Sequence, residues 1–155
     1  GTENVPAIAG FGLAAEMSEH GRRENSASMA QMRQRLISQL TASLDDIVIN
    51  SPETAGENAG ECCSSLLNIS FLGTRGEVLL HTLEQDGIYV STGSACSSNK
   101  KGQSHVLKAM GLKDKEIEGT LRFSFGRMNS IEEIDIAADK VAAAVKRFRR
   151  LGSFR

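Results

Sequence analysis

The sequence predicts an α+β fold, in which a small sheet of about four strands, mixed or antiparallel, is covered mainly on one face by helices. Three observations predict it. Some short segments alternate between apolar and polar residues, longer segments repeat apolar residues at helical spacing, and the two kinds are interleaved along the chain. The length of 155 residues, with 40% hydrophobic and 24% charged residues, is that of one globular domain.

The first predicted element is a helix over residues 4–20. Asn4 is its expected N-cap, Pro6 lies in the first turn, and Gly21 ends it. The polar stretch 22–25 predicts a linker. A second helix follows, because apolar residues recur at helical spacing: Met29, Met32, Leu36, Ile37 and Leu40.

The middle of the chain predicts strands, a helix and a further strand. Residues 47–50 begin with three β-branched residues, and residues 67–71 alternate in polarity, so that each of these two segments predicts a strand. The residues between them, 52–60, predict a loop. A helix is expected from Gly76 to Asp86-Gly87, with an apolar side that consists of Val78, Leu79, Leu80 and Leu83. Residues 88–91 predict a third strand.

The last third predicts three helices and a strand. Ser104 caps a short helix that ends at Gly111 and is expected to turn Val106, Leu107 and Met110 inward, and a second short helix spans 114–118. Residues 120–125 alternate strictly and predict a strand. A capping box at Ser130 begins a long final helix with an apolar stripe of Ile134, Ala138, Val141, Val145 and Phe148.

Composition excludes several classes of function. The formal net charge of −1 provides no global field for nucleic acid or an anionic membrane, and no apolar run reaches the length of a bilayer span. Basic residues near the C-terminus are expected at a helix end, where the helix dipole favours them. We therefore expect no nucleic-acid or membrane partner, and no signal peptide is apparent, which favours the cytoplasm.

The three cysteines are an odd number that fits a reducing compartment rather than a disulfide framework. Their spacing also does not predict a metal site. Cys62 and Cys63 are interpreted as structural or incidental.

Cys96 has only small and polar neighbours, in the loop Gly93-Ser-Ala-Cys-Ser-Ser98. A cysteine kept for packing normally lies on an apolar face, whereas this context favours an exposed thiol with two lysines nearby that favour the thiolate. The residues alone leave two alternatives, a reactive thiol or a surface cysteine without a role.

Other candidates also have plain structural interpretations. Arg122 lies on the polar side of a predicted strand, where an ion pair is the simple expectation, and Arg127 is its nearby competitor. Thr2 precedes a helix start, where it could cap the helix or face a phosphate. His105 is a weak candidate, because it begins a helix next to the cysteine loop.

Three stretches together resemble the cysteine desulfurases, over essentially the whole chain and in the order and spacing of that family. They are Gly1-Thr-Glu-Asn-Val-Pro6, Val90-Ser-Thr-Gly-Ser-Ala-Cys-Ser-Ser98 with the helix after it, and Leu121-Arg-Phe-Ser-Phe-Gly-Arg127 with Glu132-Glu-Ile-Asp135. The cysteine and arginine stretches are specific, whereas the Gly-Thr opening alone would be weak.

The resemblance implies roles for three residues. Cys96 corresponds to the nucleophile that takes sulfur from L-cysteine, leaving L-alanine and an enzyme persulfide, and Arg122 corresponds to the arginine that binds the substrate carboxylate. Thr2 corresponds to a threonine that reaches across a homodimer to the phosphate of pyridoxal phosphate. The implied partner is a sulfur-acceptor or iron–sulfur scaffold protein.

The resemblance covers only the C-terminal part of such an enzyme, like the small domain of fold-type I pyridoxal-phosphate transferases. Residues 1–21 are then expected to be a linking helix and residues 22–155 the body of the domain. The cofactor lysine of the family has no counterpart here, so the isolated chain is expected to be inactive. The alternatives are a selenocysteine lyase, another class V aminotransferase, or a non-catalytic module that docks a sulfur acceptor.

Overall fold

The computed structural model describes residues 1–52, 62–93 and 104–152. In chain order the elements are α1 (Val5–Ser43), β1 (Ile47–Ile49), β2 (Leu66–Phe71), α2 (Gly76–Gln85), α3 (His105–Ala109), α4 (Asp114–Glu118), β3 (Thr120–Ser124) and α5 (Ile131–Arg150). The α+β class expected from the sequence is confirmed.

Helix α1 runs without interruption for 39 residues, so the predicted linker over residues 22–25 is wrong. Its N-cap is the expected one, because the Asn4 side chain accepts a hydrogen bond from the backbone of Ala7 at 3.2 Å. A single Gly21 costs a helix only about 1 kcal/mol, and the polar residues after it include good helix formers. One of them, Arg22, pairs with Glu19 one turn earlier at 2.9 Å.

The first half of α1 is an exposed arm, which we define as residues 5–20. Every residue of this arm is exposed, and its large apolar side chains are between 54% and 77% accessible: Val5, Ile8, Phe11, Leu13 and Met17. Burial begins further along, where Met32, Leu36 and Leu40 enter the core as predicted.

The sheet of the described residues is antiparallel with the order β1-β2-β3. Ile47 lies opposite Phe71, and Asn68 of β2 lies opposite Arg122 of β3. The predicted strand over residues 88–91 is not confirmed, because only Ser91 pairs with the sheet, as an isolated bridge to Arg122. The described part therefore contains three strands rather than about four.

One face of the sheet packs on the helices. Leu67, Ile69, Phe71, Leu121 and Phe123 are at most 5% exposed and form one core with the inner sides of α1, α2 and α5. Phe71 and Phe123 meet edge to face with ring centroids 6.5 Å apart. The opposite face carries the polar residues.

Helix α5 has the predicted capping box, in which Ser130 and Glu133 exchange hydrogen bonds, and its predicted stripe is buried except for the half-buried Phe148. Helix α3 begins at Ser104 as predicted, but only Leu107 is buried. Val106 and Met110 are about half exposed, so the prediction that they turn inward is wrong. A helix of five residues has too short a surface to bury three large side chains on one body. No helix of the described ranges is long and apolar enough to cross a membrane.

Candidate functional site

Arg122 lies at the middle of β3 with its side chain exposed on the polar face of the sheet. Its backbone N–H and carbonyl both hydrogen-bond to Ser91, and on its other side it lies opposite Asn68 of β2 in a pair that is not hydrogen-bonded. Its guanidinium makes no ion pair with any residue in the described part of the chain, so the simple structural expectation of an ion pair finds no support there. The side chain is presented on a rigid backbone with its charge available.

A polar network lies beside Arg122 on the same face. The Asn50 amide donates to Asn68 Oδ1 at 2.7 Å and to Ser70 Oγ at 2.8 Å, and Ser70 Oγ lies 3.2 Å from Thr120 Oγ1. Ser70 and Thr120 are fully buried, so these hydrogen bonds satisfy groups that burial would otherwise penalise. The network holds together the sheet face from which Arg122 projects. The sequence analysis missed this network because its residues are distant in sequence.

Cys96 lies outside the described residues, within the segment 94–103. The residues that flank this segment are described, and they lie side by side: a Cβ added to Gly93 would be 3.2 Å from Ser104 Cβ. Gly93 follows Ser91, which pairs with Arg122. The segment that carries Cys96 therefore leaves and rejoins the fold beside the strand that carries Arg122.

Thr2 is not brought to the same place. It is exposed and lies two residues before the N-cap, and Asn4 rather than Thr2 caps the helix. Since α1 rises about 1.5 Å per residue, Val5 is about 40 Å along the helix axis from Met32, where burial begins. Thr2 thus lies beyond the exposed end of α1, far from the part of the helix that enters the core.

The secondary candidates separate in the structure. Arg127 is exposed and lines a cavity beside α1 together with Cys62 and Cys63, rather than accompanying Arg122. His105 is the exposed first residue of α3.

The sequence analysis also passed over Arg33, which is only 1% exposed and donates from Nη1 to Cys62 Sγ at 3.6 Å. A usable signal existed, because Arg33 falls one turn after Met29 on the apolar stripe of α1.

The described residues do not by themselves form a site for the pyridoxal phosphate that the resemblance implies. Gly1 to Asn4 are all exposed, and therefore nothing encloses a cofactor at Thr2. Across the described ranges, no group of three or more His, Cys, Asp or Glu side chains is arranged to hold a metal ion. What the site offers is a fixed, exposed guanidinium next to the segment that contains a thiol.

Comparisons with known proteins identify relatives of this chain. Relatives include a cysteine desulfurase IscS of Methanosarcina thermophila, 37% identical over 97% of this chain and 36% of that protein. Another is an IscS-like cysteine desulfurase of Mycobacterium tuberculosis, 35% identical over 97% of this chain and 37% of that protein. The chain thus spans little more than a third of the length of these relatives.

Solved structures give the same result. A NifS-like protein superposes with a TM-score of 0.77 at 30% identity, over 95% of this chain and 35% of that one. A NifS-like protein from Rickettsia africae superposes with a TM-score of 0.75 at 25% identity, over 94% of this chain and 36% of that one. The family model for class-V aminotransferases matches residues 1–136. Since that match covers most of the sequence, the chain belongs to the class-V aminotransferase family.

Proposed function

We propose that this chain is the C-terminal part of a pyridoxal-phosphate-dependent cysteine desulfurase. Its Cys96 takes the sulfur of L-cysteine to form a persulfide, the organic product is L-alanine, and the persulfide sulfur passes to an acceptor or iron–sulfur scaffold protein. The observation that carries the proposal is the pairing of Ser91 with Arg122, because it holds the start of the Cys96 segment against the strand that bears the arginine.

Chain length supports a joint role for the two residues. Cys96 is only three residues beyond Gly93, and three extended residues span at most about 11 Å. Arg122 supplies the complementary function, since a guanidinium binds a carboxylate through two parallel hydrogen bonds and keeps its charge at any physiological pH. We propose that Arg122 holds the carboxylate of L-cysteine while the Cys96 thiolate attacks the substrate sulfur.

Thr2 supports a two-chain site. It is exposed at the end of α1 that lies far from the core. We propose that it contacts the cofactor phosphate of a second subunit in a homodimer, and that the remainder of the cofactor site, including its lysine, belongs to a larger domain. The cofactor, when bound there, supplies the electron sink for breaking the substrate C–S bond.

The exposure of the first half of α1 supports a proposed division of the chain. We propose that residues 1–21 are the helix that links to a larger domain and that residues 22–155 form the body of the small domain. The fully exposed arm favours this division, although the helix itself is continuous. The same proposal includes three further points. The domain is like the small domain of fold-type I pyridoxal-phosphate transferases, the protein is located in the cytoplasm, and its partner is a sulfur acceptor.

A chimaera tests the proposal. This chain replaces the matching C-terminal third of the Methanosarcina thermophila relative, and alanine, sulfide and persulfide on the tryptic peptide 76–100 are measured with L-cysteine. We expect all three products, and we expect Cys96→Ser to lose sulfide and persulfide while Cys63→Ser retains them. Persulfide that persists in Cys96→Ser, or a folded chimaera that binds the acceptor without ever forming persulfide, contradicts the proposal.

The isolated chain provides a second test. With pyridoxal phosphate and L-cysteine, the 155 residues should give no catalytic sulfide. Sustained turnover by this chain alone would show that the proposed division between two domains is wrong. In the chimaera, parallel assays with L-cysteine and selenocysteine distinguish a desulfurase from a selenocysteine lyase.

A further inference from the structure

Two adjacent thiols lie in a cavity that the proposed function does not use. Cys62 and Cys63 immediately precede β2 and line a cavity of about 550 Å³ beside α1. Arg22 and Arg127 line the same cavity, and a neighbouring one of about 410 Å³ contains Cys62, Arg22 and Arg23. The thiols therefore share a cavity with guanidinium groups, and positive charge near a thiol favours the thiolate.

A buried cation lies beneath these thiols. Arg33 is 1% exposed, its Nη1 donates to Cys62 Sγ at 3.6 Å, and its Nη2 donates to the carbonyl of Pro52. Its Nε is buried and finds no hydrogen-bond partner within residues 1–52, 62–93 and 104–152. No carboxylate of those ranges forms an ion pair with it. A buried charge that lacks an acid partner is costly, and an anion that forms nearby lowers that cost.

The two cysteines differ in exposure. Cys62 is half-buried and accepts the hydrogen bond of Arg33, whereas Cys63 is exposed. Cys63 Sγ lies 3.0 Å from Ser65 Oγ. Hydrogen bonds from the hydroxyl and the backbone N–H of Ser65 lower the pKa of the Cys63 thiol below its ordinary value, with the charge of Arg33 acting in the same direction and desolvation opposing it. Exposure together with thiolate character marks a cysteine that oxidants reach.

We propose that Cys63 is a peroxide-reactive thiol, a modification site that is separate from Cys96. The Cys63 thiolate attacks one oxygen of hydrogen peroxide, an S–O bond forms, the O–O bond breaks, and hydroxide leaves. The sulfur loses two electrons and becomes a sulfenic acid, and the peroxide gains them. The buried Arg33 provides positive charge near the reaction, which stabilises the developing hydroxide.

The test uses the 155-residue chain with Cys96→Ser, so that its result does not depend on the proposed desulfurase activity. The chain is treated with hydrogen peroxide at pH 7.5, sulfenic acid is trapped with dimedone, and fragmentation of the tryptic peptide 36–75 assigns the adduct to Cys62 or Cys63. We expect the adduct on Cys63 first, retained in Cys62→Ser and absent in Cys63→Ser. Adduct that forms first on Cys62, or at equal rates on both residues, overturns the proposal.

A matched pair of serine variants tests the geometry. Ser65→Ala removes the hydroxyl that contacts Cys63, and we expect trapping to slow about two- to threefold, since the pKa of the thiol rises, the thiolate fraction falls, and higher nucleophilicity offsets part of that loss. Ser64→Ala removes a hydroxyl whose observed partner is Ser26 at 3.1 Å, and the rate should be unchanged. Equal rates in the two variants, with folding verified by circular dichroism, also overturn the proposal.

Discussion

Ser91 and Arg122 exchange both backbone hydrogen bonds, with the Ser91 N–H 3.0 Å from the Arg122 carbonyl and the Arg122 N–H 2.6 Å from the Ser91 carbonyl. This pair joins the segment that precedes residues 94–103 to the edge of β3. Because both backbone hydrogen-bonding groups of Arg122 are bound to Ser91 and the residue lies opposite Asn68 within the sheet, its side chain projects from a fixed position. A ligand that binds this guanidinium therefore meets a preorganised group.

Replacing Arg122 should impair catalysis more than replacing the nearby Arg127. In the chimaera described above, Arg122→Ala removes the proposed hydrogen bonds to the substrate carboxylate. We expect kcat/KM to fall roughly 30-fold, which corresponds to a loss of about 2 kcal/mol of transition-state stabilisation. Arg127→Ala is the control and should have little effect. Steady-state alanine formation measures both, and equal losses would show that Arg122 has no special role.

Two leucines of one helix should differ sharply in their contribution to stability. Leu36 is 1% exposed and Leu13 is 58% exposed. Leu36→Ala leaves a cavity and should lower the free energy of unfolding by about 3 kcal/mol. Leu13→Ala in the exposed arm should change it by less than about 0.5 kcal/mol. Urea denaturation of the isolated chain measures both, and similar values would mean that the arm is packed.

Gly21 tests the continuity of α1. Gly21→Pro removes a backbone donor and should reduce helix content by breaking the arm from the rest of the helix. Gly21→Ala should raise helix content, since alanine is favoured by about 1 kcal/mol and its Cβ would meet only the flexible end of the Asn25 side chain. Far-UV circular dichroism reports the difference. If proline leaves the signal unchanged, the two-helix prediction is restored.

The contact between α1 and α5 should depend on pH. Arg35 donates to Asp135 through Nε at 2.8 Å and Nη2 at 3.1 Å, and Gln39 donates to the same carboxylate at 2.7 Å. The hydrogen bond from Arg35 lowers the pKa of the Asp135 carboxyl below its ordinary value. The ionised form is thus favoured in the folded state, so the stabilisation is present above the unfolded-state pKa and is lost as pH falls through the lower folded-state value.

Asp135→Asn should therefore destabilise the chain at pH 7 and have a progressively smaller effect below about pH 4, near the ordinary pKa of an aspartate. Asp139, exposed on the same helix, makes no ion pair with any residue that the structure describes, so Asp139→Asn is the control. Urea midpoints at several pH values measure both variants. A destabilisation by Asp135→Asn that stays constant down to pH 2 would contradict the expected linkage.

The sequence predicted those elements whose signals are local. The capping box at Ser130 and the alternation over residues 120–125 depend on neighbours within a few positions, and the structure confirms both, with the strand itself ending at Ser124. The predicted break after Gly21 was wrong because a single glycine costs a helix only about 1 kcal/mol. The residues around it include good helix formers, so the helix continues through it. Val106 and Met110 were misplaced because a periodic pattern does not state how much of a short helix the body can cover.

The candidate site was predictable only in part. Arg122 could be placed on the polar side of a strand, but its pairing with Ser91 joins residues that are 31 positions apart, which no local pattern encodes. The same holds for the network around Asn50 and for the contact of Arg33 with Cys62. The role proposed for Cys96 depends on the resemblance, and Cys96 lies outside the described ranges.

The length of α1 gives the small contact at Arg35 and Asp135 a mechanical consequence. The part of α1 from Val5 to Met32 is about 40 Å long. A tilt of about 10° at the point where the helix enters the core therefore moves its N-terminal end by roughly 7 Å. A slight repacking against α5 is thereby amplified into a displacement larger than the reach of a hydrogen bond. The side chains that set this angle determine where the N-terminal end of the chain can be delivered.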